Sequence, residues 1–185
     1  MKMVKKFNLA NPTDLTAFNI KKLSVLYILK NAYGRKYFGD EVYNEKLNNN
    51  PYIIYLFYKS KELQGVLIRK PSGKLTALAV LPQFQKQGVG SKLLEYAKRE
   101  HIKLFGEVCN SNKKMIRLMK LTGFKNVGTV FDKENLVCQD DEQIKILFEY
   151  LPQSKTRKIK ILKLKRGYPN KLKKIRKSRP KLLAH

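Results

Sequence analysis

A glycine-containing loop between two apolar segments is the part of this sequence whose residue types and spacing could do chemistry. Leu75 to Leu81 reads as a strand, and after Pro82 the chain continues Gln85-Lys86-Gln87-Gly88-Val89-Gly90-Ser91. Apolar residues then recur at helical spacing, so the pattern predicts strand, loop and helix in that order. The first turn of a helix has unpaired N–H groups and the positive end of the helix dipole. The loop therefore predicts a phosphate-binding cradle.

Two common phosphate loops do not fit these residues. A Walker loop requires Gly-Lys-Ser/Thr after four spacer residues, whereas the order here is Gly90-Ser91-Lys92 with no earlier glycine at the required distance. The dinucleotide fingerprint requires a third glycine, and Leu93 occupies that place. Taken alone, Gly88 and Gly90 are explained most simply by a tight turn between a strand and a helix.

A second block, Asn110 to Phe124, favours a ligand-binding role for the loop. It begins Asn110-Ser111-Asn112, continues as a helical segment and ends in Gly-Phe. Together with the apolar-x-Pro step and the Gln-x-x-Gly-x-Gly loop, in this order and at this distance, it resembles the GNAT superfamily of N-acetyltransferases. The resemblance covers at least Tyr52 to Gly128, and the layout of elements lets it extend from Met1 to about Pro152.

The resemblance implies a fold, a cofactor and a set of site residues. The fold is of the mixed α/β (α+β) class, with a central twisted mixed sheet flanked by helices and followed here by a basic C-terminal extension. Its fourth and fifth strands, here Leu75 to Leu81 and Leu104 to Cys109, splay apart to admit the pantetheine arm of acetyl-CoA. Strand backbone pairs with that arm, loop amides hold the diphosphate, and an asparagine contacts the cofactor. The implied cofactor-binding residues are Ala79, Val80, Leu81, Gln85, Lys86, Gln87, Gly88, Val89, Gly90, Ser91 and Asn112.

The resemblance breaks at the catalytic acid. Many members carry a tyrosine one turn before the Gly-Phe that protonates the departing thiolate, and the corresponding residue here is Met119, which has no proton to give. Cys109 is a candidate substitute, although a small cysteine in a strand more often serves packing. Glu107 is close to the family's usual position for a general base, and the alternative is a surface carboxylate paired with lysines. Strand alternation predicts that Glu107, Cys109 and Phe105 share one face.

The charge of the chain predicts an anionic partner. The 40 Lys and Arg against 14 Asp and Glu give a net charge of +26, more than solubility requires. All 14 acidic residues precede Ser154, and the remaining residues carry 14 basic side chains and no acidic one. We therefore divide the chain into an acyltransferase-like domain at 1–153 and a polybasic tail at 154–185. The tail residues predicted to bind nucleic acid are Lys155, Arg157, Lys158, Lys160, Lys163, Lys165, Arg166, Lys171, Lys173, Lys174, Arg176 and Lys177.

Three interpretations fit such a tail. Basic residues interleaved with apolar ones and Tyr168 neutralise phosphates in a salt-dependent manner, so DNA and RNA both fit. An anionic membrane surface competes, but the tail contains no Trp or Phe to anchor it there. A disordered solubilising extension is the third interpretation.

Composition and hydropathy exclude several other classes of protein. The 43% apolar share with 10 Tyr and 9 Phe excludes wholesale disorder. The longest apolar run, Tyr52 to Tyr58, is far short of the roughly 20 residues that cross a bilayer, and the amino terminus lacks a secretion signal, so we expect a cytoplasmic, intracellular protein. Two cysteines without a CxxC and two histidines predict reduced thiols and no metal site.

Further patterns predict the remaining elements of the domain. A strand is expected at Phe7 to Leu9, one helical run from Asn11 to Leu29, and a short helix at Gly39 to Leu47. Tyr52 to Lys59 and Leu63 to Arg69 are expected to form a hairpin.

Three functions are consistent with these residues. The first is an acetyl-CoA-dependent N-acetyltransferase acting on a macromolecular, nucleic-acid-associated amine, such as an aminoacyl-tRNA, a protein or a base. The second is a base-modifying enzyme on the same scaffold, similar in outline to the Mom DNA-modification proteins of phages, which Met119 and the charge favour. The third is a non-catalytic nucleic-acid-binding module. The well-formed cofactor loop favours the first.

Overall fold

The computed structural model describes residues 2–33, 51–131 and 144–152. All of them belong to one compact unit, Met1–Pro152. The predicted tail at 154–185 lies outside the described residues, so the division of the chain after residue 153 stays a prediction. The elements are β1 (Lys2–Asn8), α1 (Pro12–Asn19), α2 (Lys22–Tyr33), β2 (Ile53–Lys59), β3 (Glu62–Arg69), β4 (Leu75–Val80), a 3-10 helix (Pro82–Phe84), α3 (Val89–Lys98), β5 (Leu104–Cys109), α4 (Lys113–Leu121), β6 (Lys125–Phe131) and β7 (Ile144–Tyr150).

The first four strands form an antiparallel sheet in the order β1-β2-β3-β4. The predicted hairpin is confirmed, with Ser60 and Lys61 at its turn at φ of 50° and 71°. Positive φ at both central residues suits the twist of the flanking strands. The first strand is longer than expected, because the backbone of β1 pairs with β2 from Lys2 onward. Its lysines are typical of an edge strand. They interrupt the alternation of apolar and polar residues from which a strand is predicted.

Two helices follow β1, where the apolar spacing predicted a single run. Asn11 caps α1 by accepting hydrogen bonds from Thr13 N–H and Asp14 N–H. Between the two helices, Lys21 N–H donates to Phe18 C=O in a helix-like turn. Such a turn preserves the spacing of apolar residues across the break, so the interruption is invisible in the pattern. The predicted helix at 39–47 lies outside the described residues.

The last three strands form a second antiparallel sheet in the order β5-β7-β6. β4 and β5 lie side by side only at their beginnings, where a single parallel bridge joins Lys74 and Phe105. Phe105 N–H donates to Gly73 C=O at 3.2 Å at the same place. Beyond this bridge the two strands form no ladder within the described ranges. The predicted splay of the fourth and fifth strands is therefore confirmed.

The β1–β4 sheet is covered on both faces. α1 and α2 pack on the face of Ile54, where Phe18 is buried. α3 and α4 pack on the face of Tyr55, where Leu93 and Met119 are buried together with residues of the second sheet. One core therefore holds the two sheets on either side of the splay. No helix within the described residues is long and apolar enough to cross a membrane.

Candidate active site

The loop before α3 carries a run of unpaired backbone amides. The 3-10 helix follows β4, and α3 begins after Gly88, its N-cap. Within the described part of the chain, nothing accepts a hydrogen bond from the N–H groups of residues 86 to 91. Gln85 differs, because its N–H donates to Pro82 C=O at 3.2 Å. The expectation that the cradle includes the Gln85 amide is therefore corrected, and the cradle begins at Lys86.

Gly88 and Gly90 are needed at these positions for different reasons. Gly88 has a φ of 79°, in the left-handed region where a side chain introduces strain. A Cβ on Gly90 would lie 3.1 Å from Leu118 Cδ2, so glycine lets α3 approach α4. Both reasons concern the fold, and the resulting turn leaves the loop amides unpaired.

Only every second residue of β4 presents its backbone to the gap beside β5. Leu81 N–H donates to Gln64 C=O at 3.0 Å, and Ala79 pairs with Val66, so both face β3. Ladder alternation turns Leu78 and Val80 toward the gap. The expectation that Ala79 and Leu81 pair with the cofactor arm is corrected, since the open-edge residues are Leu78 and Val80.

Two side chains contact these open-edge groups. Gln85 Nε2 donates to Val80 C=O at 3.3 Å. Tyr33 Oη, at the end of α2, accepts from Leu78 N–H at 3.1 Å and donates to Leu78 C=O at 2.9 Å. Burial raises the pKa of the Tyr33 phenol more than the Leu78 contact lowers it. Tyr33 was not predicted from the sequence, because the contact joins residues 45 positions apart.

Asn112 is the N-cap of α4. Its Oδ1 accepts from Met115 N–H at 3.0 Å, an arrangement that stabilises the first turn of a helix. This contact explains the presence of an asparagine without a ligand. Asn112 is also exposed, so its contact with a cofactor stays a prediction.

Glu107 lies on the predicted face of β5, since Gly106 and Val108 are buried on the other face. Its Oε1 is 2.8 Å from Lys74 Nζ, and its Oε2 is 3.9 Å from Lys145 Nζ. These ion pairs match the alternative interpretation of Glu107 as a carboxylate that answers nearby lysines. Its role as a general base stays a prediction.

Cys109 and Met119 offer no proton in this structure. Cys109 is disulfide-bonded, so the expectation of a reduced thiol is wrong at this position. A disulfide sulfur carries no hydrogen, and Cys109 cannot serve as an acid while the bond is intact. The chain's other cysteine, Cys138, lies outside the described residues. Met119 is fully buried in the core, as a core-filling residue would be.

A group of lysines gathers at the edge of the first sheet, beside α3. Lys2 and Lys59 are opposite each other in the β1–β2 ladder. Lys92 of α3 reaches the same place, because the charge of Lys2 is the largest cause that lowers the pKa of Lys92. Its Nζ lies 5.6 Å from the ring centroid of Phe57. We call Lys2, Lys59 and Lys92 the lysine cluster. None of the three is paired with a carboxylate of the described residues.

Comparison with known proteins assigns the family. A model of the acetyltransferase (GNAT) domain matches residues 20–140. The chain therefore belongs to the GNAT acetyltransferase family, and it is an N-acyltransferase whose donor is acetyl-CoA. No curated protein sequence matches the chain. Within the described ranges, no group of His, Cys, Asp and Glu side chains could hold a metal ion.

Solved structures share this fold at low sequence identity. An aminoglycoside 6'-acetyltransferase type Ii has 18% identity and a TM-score of 0.61, over 80% of this chain and 96% of that one. The ribosomal-protein-S18-alanine N-acetyltransferase from Escherichia coli has 22% identity and a TM-score of 0.60, over 82% and 94%. A GNAT family acetyltransferase from Elizabethkingia anophelis with acetyl-CoA bound has 18% identity and a TM-score of 0.57, over 81% and 97%.

The described residues fit acetyl-CoA. The unpaired amides of residues 86 to 91, at the positive end of α3, can hold its diphosphate. Val80, on the open edge of β4, can pair with the amides of its arm, whereas both backbone groups of Leu78 are bonded to Tyr33 Oη. When bound, the cofactor supplies an acetyl thioester, and these backbone groups would hold and orient it.

Proposed function

We propose that this N-acetyltransferase acts on an amine carried by a macromolecule that is made of, or bound to, nucleic acid. The acceptor would be an aminoacyl-tRNA, a protein or a base. Both the donor and such an acceptor are found inside cells, so we also propose that the protein acts in the cytoplasm.

The lysine cluster is the observation that carries this proposal. Like charges directly opposite each other on a ladder are destabilising. Lysine on an edge strand protects against pairing with other sheets, which accounts for Lys2 but not for Lys92, which is on a helix. Three converging positive charges without a carboxylate partner are explained by an anion outside the chain, and a nucleic-acid backbone supplies phosphates at close spacing.

A stacked arginine at the C-terminal end of α3 supports the same partner. The Arg99 guanidinium lies 4.2 Å from the ring centroid of Tyr96, and that tyrosine is 36% exposed. Exposed aromatic rings and arginine planes are the groups on which unpaired bases stack. The net charge of +26 attracts polyanions at long range. The tail residues named above carry the same sign of charge and lie outside the described residues.

The structural neighbours are named for two kinds of acceptor, and the net charge of this chain favours one of them. One is named for a ribosomal protein, and three others are named for aminoglycosides, which are cationic amino sugars. A strongly basic protein repels a small cationic acceptor and attracts an amine embedded in a polyanion. We therefore favour the macromolecular acceptor.

Salt-dependent binding of tRNA and duplex DNA tests the partner. The slope of log affinity against log salt falls by roughly 0.7 to 0.9 for each phosphate contact removed. The cluster variant carries Lys2→Gln, Lys59→Gln and Lys92→Gln. The magnitude of its slope should be smaller than that of the native chain by about 2 to 3. A matched control removes the same charge from exposed lysines elsewhere in the domain, through Lys70→Gln, Lys120→Gln and Lys125→Gln. Equal slopes for the two variants would exclude the cluster as a phosphate-binding surface.

Transfer of labelled acetyl groups tests the acceptor. Acetyl-CoA labelled in the acetyl group would be incubated with the protein and with tRNA, aminoacyl-tRNA, duplex DNA or ribosomal proteins. Label in any of these supports the proposal and identifies the class. Label in small amines, with none in the macromolecules, would overturn it.

A further inference from the structure

The thiolate that leaves during acetyl transfer needs a proton, and the groups considered above do not provide one. Met119 has none, and Cys109 is disulfide-bonded. Glu107 is engaged by the ammonium groups of Lys74 and Lys145. The proton donor of this protein is therefore expected elsewhere along the open edge of β4.

Tyr33 brings a phenol to that edge. Its Oη is within hydrogen-bond distance of both Leu78 N (3.1 Å) and Leu78 O (2.9 Å). The cradle at 86–91 follows the end of β4. A ligand anchored there by its diphosphate would pass Val80 before Leu78, so the thioester at the far end of its arm would lie toward Leu78.

Other described tyrosines do not have this position. Tyr55 Oη bonds to Glu100 and Arg69 in the core. Tyr58 Oη is buried without a partner among the described residues. Within the part of the chain that the structure describes, Tyr33 is the tyrosine whose hydroxyl contacts the open edge of β4.

We propose that Tyr33 is the proton donor of the transfer step. The acceptor amine attacks the thioester carbon, a C–N bond forms, and the C–S bond then breaks. The sulfur takes the hydroxyl proton of Tyr33, and the proton lost by the amine returns to the phenolate through solvent. Burial, which raises the pKa of the phenol, keeps it protonated between turnovers. The inference rests on acetyl transfer and not on what carries the acceptor.

Tyr33→Phe removes the hydroxyl and keeps the ring. Affinity is measured for CoA above the pKa of its thiol and for desulfo-CoA, which lacks the sulfur. The CoA thiolate would lose a hydrogen bond from the Tyr33 hydroxyl, and hydrogen bonds to charged groups are strong. CoA should therefore bind at least roughly 10-fold more weakly, and the affinity for desulfo-CoA should not change. With an acceptor in hand, kcat should fall roughly 10²- to 10⁴-fold with little change in the KM for acetyl-CoA. Tyr58→Phe, which removes an unpartnered hydroxyl, is the matched control and should change neither quantity.

Two results would overturn the proposal. One is an equal loss of affinity for CoA and desulfo-CoA, which shows a packing role. The other is an unchanged affinity for both ligands, which shows that the hydroxyl does not contact the sulfur. Neither measurement needs an acceptor, so failure of the nucleic-acid proposal leaves this test intact. If Tyr33→Phe does not fold, fluorotyrosine at position 33 keeps the hydroxyl and lowers its pKa. The alkaline limb of the pH–rate profile should then move to lower pH, and an unmoved limb contradicts the role.

Discussion

The Arg69 guanidinium donates to the Glu100 carboxylate at 2.5 Å and joins β3 to the segment that follows α3. Arg69 is 1% exposed, and Glu100 also accepts a hydrogen bond from Tyr55 Oη. Lys6 Nζ lies 2.9 Å from the same carboxylate. Arg69 also donates to Tyr55 Oη and to Lys70 C=O, but Glu100 supplies the negative charge, and a buried guanidinium without one is strongly destabilising.

Glu100→Gln tests that dependence. We expect the free energy of unfolding to fall by roughly 2 to 3 kcal/mol, below the full cost of breaking a buried pair, because a quarter of the Glu100 side chain is exposed. Glu95→Gln is the control, since Glu95 pairs with Lys98 from a position that is 56% exposed, and it should cost about 0.5 kcal/mol or less. Urea unfolding at neutral pH measures both. Equal losses would show that Arg69 does not depend on Glu100.

Protonation of the same carboxylate should lower the stability of the protein in acid. Burial by itself raises the pKa of Glu100, but hydrogen bonds from Tyr55 and Lys6 and the charge of Arg69 outweigh it, and the pKa is lowered. A lowered folded-state pKa stabilises the protein above the unfolded value, about 4.3, and that contribution is lost as pH falls through the folded pKa. The stability difference between the native chain and Glu100→Gln should therefore shrink below about pH 4. A difference that stays constant with pH would refute this account.

Gly88→Ala tests the cradle against a position of equal backbone strain. Gly88 and Gly123 have φ of 79° and 80°, and a Cβ on either meets nothing within 4 Å. Each substitution should cost about 1 kcal/mol of stability. Only Gly88 adjoins the unpaired amides, so CoA affinity should fall roughly 10-fold, equivalent to about 1.4 kcal/mol, for Gly88→Ala alone. Calorimetric titration measures it, and the idea fails if both variants bind CoA equally well.

Tyr58→Phe should stabilise the domain. The buried Tyr58 hydroxyl has no hydrogen-bond partner among the described residues, and such a group costs about 1 to 3 kcal/mol. Removing it should raise the free energy of unfolding by roughly 1 kcal/mol. Tyr55→Phe is the contrasting change, because it deletes a hydroxyl that bonds to Arg69 and Glu100, and it should lower stability. Thermal unfolding of the two variants should therefore shift in opposite directions.

Local patterns predicted the elements that carry the cradle. The apolar stripe of α3, the hairpin of β2 and β3, and the spacing between the two motif blocks are properties of short segments, and the structure has them where they were expected. The splay of β4 and β5 followed from the family resemblance and is present.

Contacts between distant segments were not predictable. Tyr33 meets Leu78 across 45 positions, and Arg69 meets Glu100 across 31. Neither pair has a local signal, because tertiary packing brings the residues together. The assignment of Ala79 and Leu81 to the arm failed for a related reason. Which residues of β4 face the gap depends on its register with β3, where Leu81 bonds to Gln64.

Because β4 and β5 form no ladder beyond one bridge in the described part of the chain, the stability of this domain would depend on the supply of acetyl-CoA. Bound acetyl-CoA would supply contacts along the edge that the described residues leave open. A ligand specific for the native state adds about 2.7 kcal/mol at 100 times its Kd. A cell short of activated acetate would then hold more of the chain in forms that proteases degrade, so nutrient supply would set how much enzyme persists as well as how fast it works.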